Sequence, residues 1–252
     1  MGFYTKEELL TLGLSSVGDN VLISKKASIY SPQTISIASN VRIDDFVILS
    51  GKIEIANFVH IGAFSALIGG MEGIVIEDFV GISIGCKIFA SSDDFSGGSL
   101  SNPMIPNEFK NVCSAKVVLQ RHSLLGSGSV ILPTSKGLAQ GVSVGALSLV
   151  MRPNKPFGIY FGSPAKRIME RDKNILLLEE EFLKTKALNL SDNKKDCTSL
   201  INMESNMQIL GRGGGEQYSV ILHLLKFVVM IVIFYVHRFV FILVYMARLL
   251  KC

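Results

Sequence analysis

The chain has 252 residues, enough for one domain with appendages, and its net charge of +4 is too mild for a protein whose main partner is nucleic acid. Its four cysteines show neither paired nor Cys-x-x-Cys spacing, which indicates a reducing compartment rather than a disulfide framework. The N-terminus has no basic-then-apolar segment, so we expect no export signal.

The first predicted element is a short helix within residues 1–16. Thr5 and Glu8 form a capping-box pattern ahead of Leu9 and Leu10, and Gly13 marks the expected end of the helix. We expect this helix to cover the first coil of the following domain, because an uncovered strand edge invites pairing with another chain.

Residues 17–152 are dominated by a six-residue repeat of aliphatic pairs. The two members of a pair are two positions apart, and a three-residue corner of small or polar residues precedes the next pair. The clearest pairs are Ile35/Ile37, Val41/Ile43, Val47/Leu49, Ile53/Ile55, Val59/Ile61, Ile74/Ile76, Val80/Ile82 and Cys86/Ile88. Because side chains two apart in a strand point the same way, each pair predicts a short strand with two inward side chains.

A fixed short period of this kind predicts a solenoid, in which each coil covers the apolar face of the previous one. The competing interpretation is a β-sandwich, whose strands come about 8–12 residues apart and are joined by hairpin turns. No Asn-Gly hairpin pattern interrupts the repeat. The predicted fold class is therefore an all-β solenoid, and Cys86, at an inward position, is predicted to be a buried free thiol.

The repeat stops at residues 90–115 and then returns. We expect a functional loop there, because long insertions in regular folds are more often functional than accidental. Residues 134–140 offer no aliphatic pair, so that coil is expected to be loosely packed. Residues 153–183 predict a C-terminal extension, which leaves the solenoid between Pro153 and Ala165 and ends in a helix over Ile175–Leu183.

The composition changes after Leu183. Residues 184–217 are polar and predict a linker, whereas residues 218–252 are apolar apart from a few basic residues and predict membrane association. Phe227–Ala247 is long enough to span a bilayer, although Arg238 would lie near its centre. The basic residues fall on one side of a helical wheel, which favours an amphipathic helix lying on the membrane. An accidental extension of the reading frame is a third interpretation, and the sequence leaves all three open.

Four features together resemble the hexapeptide-repeat acyltransferases. They are the hexads, the loop around Asp93 and Asp94, the segment Val144–Val150 and the ending Phe161–Lys166. The nearest likeness is to sugar acetyltransferases of bacterial O-antigen and capsule synthesis, and it covers about residues 3–183. The resemblance implies a left-handed parallel β-helix, a homotrimer with active sites between neighbouring subunits, and acetyl-CoA as the acyl donor.

Transfer from a thioester needs a base, hydrogen-bond donors for the oxyanion and a groove for the pantetheine arm. His60 is the first candidate base, because it occupies the outward slot between Val59 and Ile61 and an imidazole suits proton abstraction near physiological pH. The alternative is an exposed or subunit-interface histidine with only a hydrogen-bonding role.

Asp93 and Asp94 form the second candidate group. Counting corners from Cys86 places Asp93 on the face that carries His60 and Gly81, two coils or about 10 Å away. In several members of the family a histidine of this loop acts as base, and the aspartate at the matching position leaves the identity of the base open. An aspartate there can orient a histidine, bind a sugar ammonium or act as a weak base. The alternative is an Asx turn that stabilises the loop.

Small residues at later corners would let an extended pantetheine lie against the coil and bond to backbone groups. These candidates are Gly126, Ser127, Gly145 and Ala146. The resemblance places the adenosine end of the donor near Pro164, Ala165, Lys166 and Arg167, with Lys166 or Arg167 facing phosphate. Each glycine also has the alternative explanation of a tight corner that needs positive φ.

His122 lies at a corner and is predicted to be a surface or groove-lining residue. Solenoid carbonic anhydrases hold zinc with three histidines, but outside the tail this chain has only His60 and His122. We therefore expect no metal.

The predicted function is acetyl-CoA-dependent transfer to a hydroxyl or amino group of a sugar or nucleotide-linked deoxy-sugar destined for surface polysaccharide. His60 is the predicted base, assisted by Asp93 or Asp94, and the predicted location is the cytoplasm at the inner face of the membrane. The alternative is a catalytically inactive, membrane-tethered β-helix scaffold, favoured by the irregular coil at residues 134–140 and by the absence of a histidine from the loop.

Overall fold

The computed structural model describes residues 2–186 and shows a parallel β-solenoid of about seven turns. The chain divides into two compact units, Met1–Glu179 and Glu180–Cys252, and the strands described all belong to the first. The all-β parallel solenoid predicted from the hexads is confirmed.

Within residues 2–186 the strands are short and the helices few. The strands are β1 (Ser16–Val17), β2 (Val21–Ile23), β3 (Ser28–Tyr30), β4 (Ile35–Ile37), β5 (Val41–Ile43), β6 (Ile48–Ile55), β7 (His60–Ile61), β8 (Ala66–Ile76), β9 (Gly81–Ile82), β10 (Lys87–Phe89), β11 (Ser91–Ser92), β12 (Cys113–Ser114), β13 (Val117–Leu119), β14 (Leu124–Leu125), β15 (Val130–Ile131), β16 (Gly137–Leu138), β17 (Ser143–Val144), β18 (Leu149–Val150), β19 (Gly158–Phe161) and β20 (Lys166–Glu170). The helical segments are α1 (Lys6–Thr11), α2 (residues 174–186) and the single 3-10 turns Pro32–Thr34, Asn107–Phe109 and Pro133–Ser135.

The strands stack into three flat faces, termed A, B and C. Face A consists of β2, β5, β7, β9, β14, β17 and β19, all parallel. Face B consists of β3, β10, β15, β18 and the first parts of β6 and β8. Face C consists of β1, β4, β13, β16 and the last parts of β6 and β8. Each coil visits C, A and B in that order, so the corner between B and C lies across the prism from face A.

The aliphatic pairs fill the inside of the coils. Ile43, Ile61 and Ile74 are each 0% exposed, and burying a side chain of this size contributes about 1.5–3 kcal/mol. Cys86 is also 0% exposed, which confirms the buried free thiol, and burial raises the pKa of that thiol. The pattern of two inward residues per strand is therefore what holds the coils together.

The N-terminal helix α1 has the predicted capping box. The Thr5 side chain accepts a hydrogen bond from the Glu8 backbone, and the Glu8 carboxylate accepts one from the Thr5 backbone at 2.8 Å. Leu9 is buried in the common core, so the helix adds an apolar side chain to the first coil.

The course of the 90–115 loop corrects one prediction. Strand β10 lies on face B, and in the preceding coils the strand that follows face B belongs to face C. The chain leaves the solenoid at the corner between these two faces, where β11 and β12 form an antiparallel pair. Asp93 therefore does not enter the face that carries His60 and Gly81; the count from Cys86 was wrong by one face.

Residues 134–140 are well packed, contrary to the prediction. Leu138 is buried, and β16 pairs with β13. Ser135 is also buried, where its hydroxyl donates to the Leu132 carbonyl at 2.7 Å and accepts from the Gly137 backbone at 3.1 Å. A buried serine with satisfied hydrogen bonds thus replaces an aliphatic residue in this coil.

The chain does not leave the solenoid directly after Pro153, which is a further correction. Strand β19 pairs in parallel with β17 and extends face A by one coil, after which β20 turns back antiparallel to β19. The helix predicted over Ile175–Leu183 lies within α2.

Among the residues that the structure describes, no helix is long and apolar enough to cross a membrane. The apolar segment predicted over residues 218–252, and residues 187–217 of the predicted linker, lie outside the described residues.

Candidate active site

His60 projects outward from face A, beside the corner between faces A and B. It lies on β7 between Arg42 of the previous coil and Gly81 of the next. Its side chain is 52% exposed, and its Nε2 lies 2.8 Å from Oδ2 of Asp44. Arg42 Nε donates to the other carboxylate oxygen of Asp44 at 2.7 Å.

Asp44 is the residue of this cluster that sequence reasoning missed. Arg42 and His60 are paired and 18 positions apart, which is the length of the coil between them. Asp44 lies two positions after Arg42 and therefore on the same outward side. A count of one coil back from His60 would have found it, but the hexads by themselves place Asp44 only in the corner between the pairs Val41/Ile43 and Val47/Leu49.

The environment of Asp44 keeps it ionised. Its side chain is only 13% exposed, and burial alone would raise its pKa. The hydrogen bonds and positive charge that it meets at His60 and Arg42 outweigh burial and lower the pKa below its ordinary value of 3.8. At neutral pH the carboxylate can therefore only accept hydrogen bonds.

The four small residues predicted to line the pantetheine groove lie at the corner between faces A and B, in two successive coils. The backbone N–H groups of Gly126 and Gly145 donate to Val144 and Tyr160 of the next coil at 2.8 and 2.9 Å. A Cβ on Gly126 would lie 2.6 Å from the Ala146 nitrogen, so close stacking of the coils explains this glycine. These two glycine amides are thus occupied by the fold itself.

Ser127 and Ala146 differ from the glycines that precede them. Both residues are exposed, and among the described residues no acceptor faces either backbone N–H group. Ile84 repeats this arrangement one coil before Ser127. The corner therefore presents a column of unpaired donors about 4.8 Å apart, which suits an extended ligand with carbonyl groups.

The turn that contains Pro164 and Ala165 lies one coil beyond Gly145 at the same corner. The Ala165 backbone donates to Leu149 at 2.8 Å, and the peptide bond before Pro164 is cis. Lys166 and Arg167 open the exposed strand β20 directly after this turn. The predicted pantetheine and phosphate residues thus follow one another along a single corner.

Asp93 and Asp94 have different surroundings within the loop. Asp94 accepts from the Ser96 backbone at 2.8 Å and from the Ser99 hydroxyl at 3.0 Å, and the Ser96 bonds are the main cause of its lowered pKa. This is the Asx turn that was the alternative explanation. Asp93 accepts from the Asn102 backbone at 3.3 Å. Within one copy, the fold does not bring Asp93 to the face of His60.

Comparisons with known proteins decide the family. No family model matches the sequence. A dTDP-4-amino-4,6-dideoxy-D-glucose acyltransferase from Escherichia coli is 40% identical over 185 residues, which are 72% of this chain and 95% of the relative. This chain belongs to the same family of sugar acyltransferases.

Crystal structures of AntD, an N-acyltransferase from Bacillus cereus, are similar to this acyltransferase in fold and sequence. One, in complex with dTDP-4-amino-4,6-dideoxyglucose and coenzyme A, is 50% identical with a TM-score of 0.72 over 73% of this chain and 97% of AntD. Another, with dTDP and 3-hydroxybutyryl-CoA, is 50% identical with a TM-score of 0.72 over 73% and 98%. The chain is an acyl-CoA-dependent sugar acyltransferase, and a CoA thioester is its acyl donor.

His122 of the acyltransferase has a structural role, which corrects the prediction of a surface or groove residue. Its side chain is 9% exposed, its ring stacks on Phe79 with centroids 5.2 Å apart, and its Nε2 lies 2.6 Å from Glu179 of α2. Among residues 2–186 no group of three His, Cys, Asp or Glu side chains is arranged to hold a metal ion.

Proposed function

We propose that this acyltransferase acylates the 4-amino group of a dTDP-linked 4-amino-4,6-dideoxyglucose. The observation that carries the proposal is the 50% identity to AntD over 97% of that chain, because AntD binds this sugar nucleotide together with coenzyme A. The Escherichia coli relative is named for the same acceptor. An acceptor amine makes the reaction an N-acylation and the product an amide.

The donor groove follows the corner between faces A and B. The unpaired N–H groups of Ser127 and Ala146 donate to pantetheine carbonyls, while Lys166 and Arg167 meet phosphate charge at the far end. The bound thioester supplies an electrophilic carbonyl. The Ile84 N–H lies at the near end of the column and is our candidate oxyanion donor.

The acceptor side of the site includes Ser83 and Asp93. AntD has been crystallised as variants of a serine and of an aspartate that are ten positions apart, and Ser83 and Asp93 have the same separation here. Ser83 lies two positions after Gly81, the direct partner of His60, so the Cα of Ser83 lies roughly 7–8 Å from the Cα of His60. In this proposal the sugar amine binds between His60 and Ser83, and His60 accepts the proton that the amine nitrogen loses when it attacks the thioester.

A homotrimer assembles this site from two copies. His60 and Ser83 lie on one side of the prism, whereas Asp93 projects from the corner across from face A. A closed ring of three copies lets the loop of one reach face A of the next, and repeated contacts of this head-to-tail kind close into rings. The separation of the two groups within one copy supports this assembly.

The test is a substrate panel with the full chain, in which release of free CoA thiol and the product mass are followed. The acceptors are dTDP-4-amino-4,6-dideoxyglucose, its 3-amino isomer and the matching 4-hydroxy sugar, each with acetyl-CoA and with 3-hydroxybutyryl-CoA, the donor bound by AntD. We expect amide formation with the 4-amino sugar and no more than background release with the 4-hydroxy sugar. Preference for the hydroxyl acceptor, or turnover with none of the three, would overturn the proposal.

We further propose that the product enters a surface polysaccharide such as O-antigen, and that the enzyme works in the cytoplasm beside the inner membrane face. A nucleotide-linked sugar is an activated glycosyl donor, and the apolar composition of residues 218–252 supports membrane association. Cell fractionation of the full chain and of a chain ending at residue 186 tests the location. Recovery of both in the soluble fraction would contradict it.

A further inference from the structure

His60, Asp44 and Arg42 form a hydrogen-bonded chain that joins two neighbouring coils. Asp44 is central: one carboxylate oxygen faces His60 Nε2 at 2.8 Å, and the other accepts from Arg42 Nε at 2.7 Å. The side chain of Asp44 is 13% exposed, whereas that of His60 is 52% exposed.

The coil does not need a carboxylate at this position. In later coils the same corner position is occupied by Gly62, Ser83, Gly126 and Gly145, all small and uncharged. The neighbouring Asp45 already ties this corner to the first coil, because it accepts from Ser24 and pairs with Lys26 at 3.2 Å. Burying a carboxylate costs free energy, so Asp44 needs a reason beyond stacking.

An ionised carboxylate has a chemical consequence for the imidazole. Because it can only accept, the 2.8 Å contact requires a proton on Nε2. In the neutral ring the other nitrogen, Nδ1, then carries the lone pair. A base must present a lone pair to the acceptor amine.

We infer that Asp44 is a positioning residue that fixes the tautomer of His60, so that Nδ1 is the atom that receives the proton of the sugar amine. This inference rests on the proposed function, in which His60 is the base. The amine nitrogen bonds to the thioester carbon, the carbon–sulfur bond breaks, and the proton passes from nitrogen to Nδ1 and then to the departing thiolate. Asp44 stabilises the positively charged ring between these transfers.

The variant Asp44→Asn is informative because Arg42 selects the orientation of the new amide. Arg42 Nε donates to the side-chain oxygen of residue 44 at 2.7 Å, and an amide NH2 cannot accept that bond, so the amide oxygen stays toward Arg42 and the NH2 group faces Nε2. Nε2 must then accept, which moves the ring proton to Nδ1. The imidazole then has no lone pair on Nδ1 to receive the proton of the sugar amine. We expect kcat to fall by a factor on the order of 10²–10⁴, with KM for the acyl-CoA within about twofold.

The test combines kinetics with nitrogen-15 NMR of histidine-labelled full chain, in which His60→Gln identifies the His60 signals. The unmodified protein should show the Nε2–H tautomer of His60 at neutral pH, and Asp44→Asn should show the Nδ1–H tautomer. Asp45→Asn is the matched control, since it removes a neighbouring charge and should alter neither tautomer nor kcat.

The outcomes separate this inference from the function on which it rests. An inactive His60→Gln together with a normal kcat or an unchanged tautomer in Asp44→Asn would overturn the role of Asp44 and leave the base in place. An Nδ1–H tautomer of His60 in the unmodified protein would by itself overturn the role of Asp44. Full activity of His60→Gln would show that His60 is not the base and would also overturn the role of Asp44. Amide formation in the substrate panel would still support the proposed N-acylation.

Discussion

One column of inward side chains on face A shows how a single residue can depart from the repeat. Ser123 occupies a position that is valine in five other coils, namely Val21, Val41, Val59, Val80 and Val142. Ser123 is 1% exposed, and its hydroxyl has no hydrogen-bond partner among the described residues. A buried polar group without a partner costs about 1–3 kcal/mol.

Replacing Ser123 with valine is therefore expected to stabilise the protein by about 1–2 kcal/mol, because it removes an unpaired hydroxyl and adds apolar volume where the fold accepts valine. For a chain of this size the melting temperature should rise by about 2–8 °C, measured by calorimetry at fixed protein concentration. Ser123→Ala is the control, with a smaller gain. A lower melting temperature for both variants would show that the hydroxyl is satisfied in solution.

Reasoning from residues alone selected His60 as a candidate but did not find the carboxylate that contacts it. The hexads identify which side chains point outward, and that is enough to propose an exposed histidine. Finding Asp44 also requires the coil length, because the contact joins residues 16 positions apart on neighbouring coils. Ser127 and Ala146 were selected for their size, whereas their unpaired amides became visible only with the hydrogen bonds of the coils.

At the scale of elements, Glu179 in the first turns of helix α2 contacts side chains of the solenoid. Glu179 accepts from Arg121 and lies 2.6 Å from Nε2 of His122, while Arg121 also lies 3.6 Å from Asp78. The Glu179 side chain is 11% exposed, and burial alone would raise its pKa. Its hydrogen bonds to Arg121 and His122 outweigh burial and lower the pKa below the ordinary 4.5.

A lowered carboxylate pKa predicts the sign of the pH dependence. The contact contributes stability above pH 4.5, and that contribution is lost as the pH falls through the lower value of the folded state. Glu179→Gln should cost about 1.5–3 kcal/mol at neutral pH, and its difference from the unmodified protein should shrink in acid. Melting temperatures of both proteins across this range, at one protein concentration, measure the effect.

Glu180→Gln is the matched control, because among residues 2–186 the ion-pair partner of Glu180 is the exposed Lys184 at 3.7 Å, and such pairs contribute little. An equal loss of stability in both variants would contradict the special role of Glu179. So would a difference between Glu179→Gln and the unmodified protein that persists in acid.

The hexads predicted the elements of the solenoid well because each coil repeats the same local rule. Two inward aliphatic residues and a short corner require no knowledge of distant parts of the chain. The errors came where the chain stops repeating. The face from which the 90–115 loop departs depends on the cumulative order of strands, and the coil around Ser135 replaces an aliphatic contact with hydrogen bonds that hydropathy does not reveal.

At the scale of the whole molecule, the proposed trimer predicts that two inactive variants restore each other. His60→Gln damages face A and Asp93→Asn damages the loop, so a mixed trimer contains some sites built from an intact face and an intact loop. A closed ring that contains both variants, in either two-to-one ratio, has one intact site in three, so the purified mixed trimers should recover about a third of the activity of the unmodified protein. The variants are co-expressed with different tags, mixed trimers are purified through both tags, and amide formation is measured.

Two His60→Gln chains carrying the two tags are the control and should remain inactive. No recovery in purified mixed trimers would mean that each site belongs to one copy, whereas a monomer by light scattering would remove the trimer altogether.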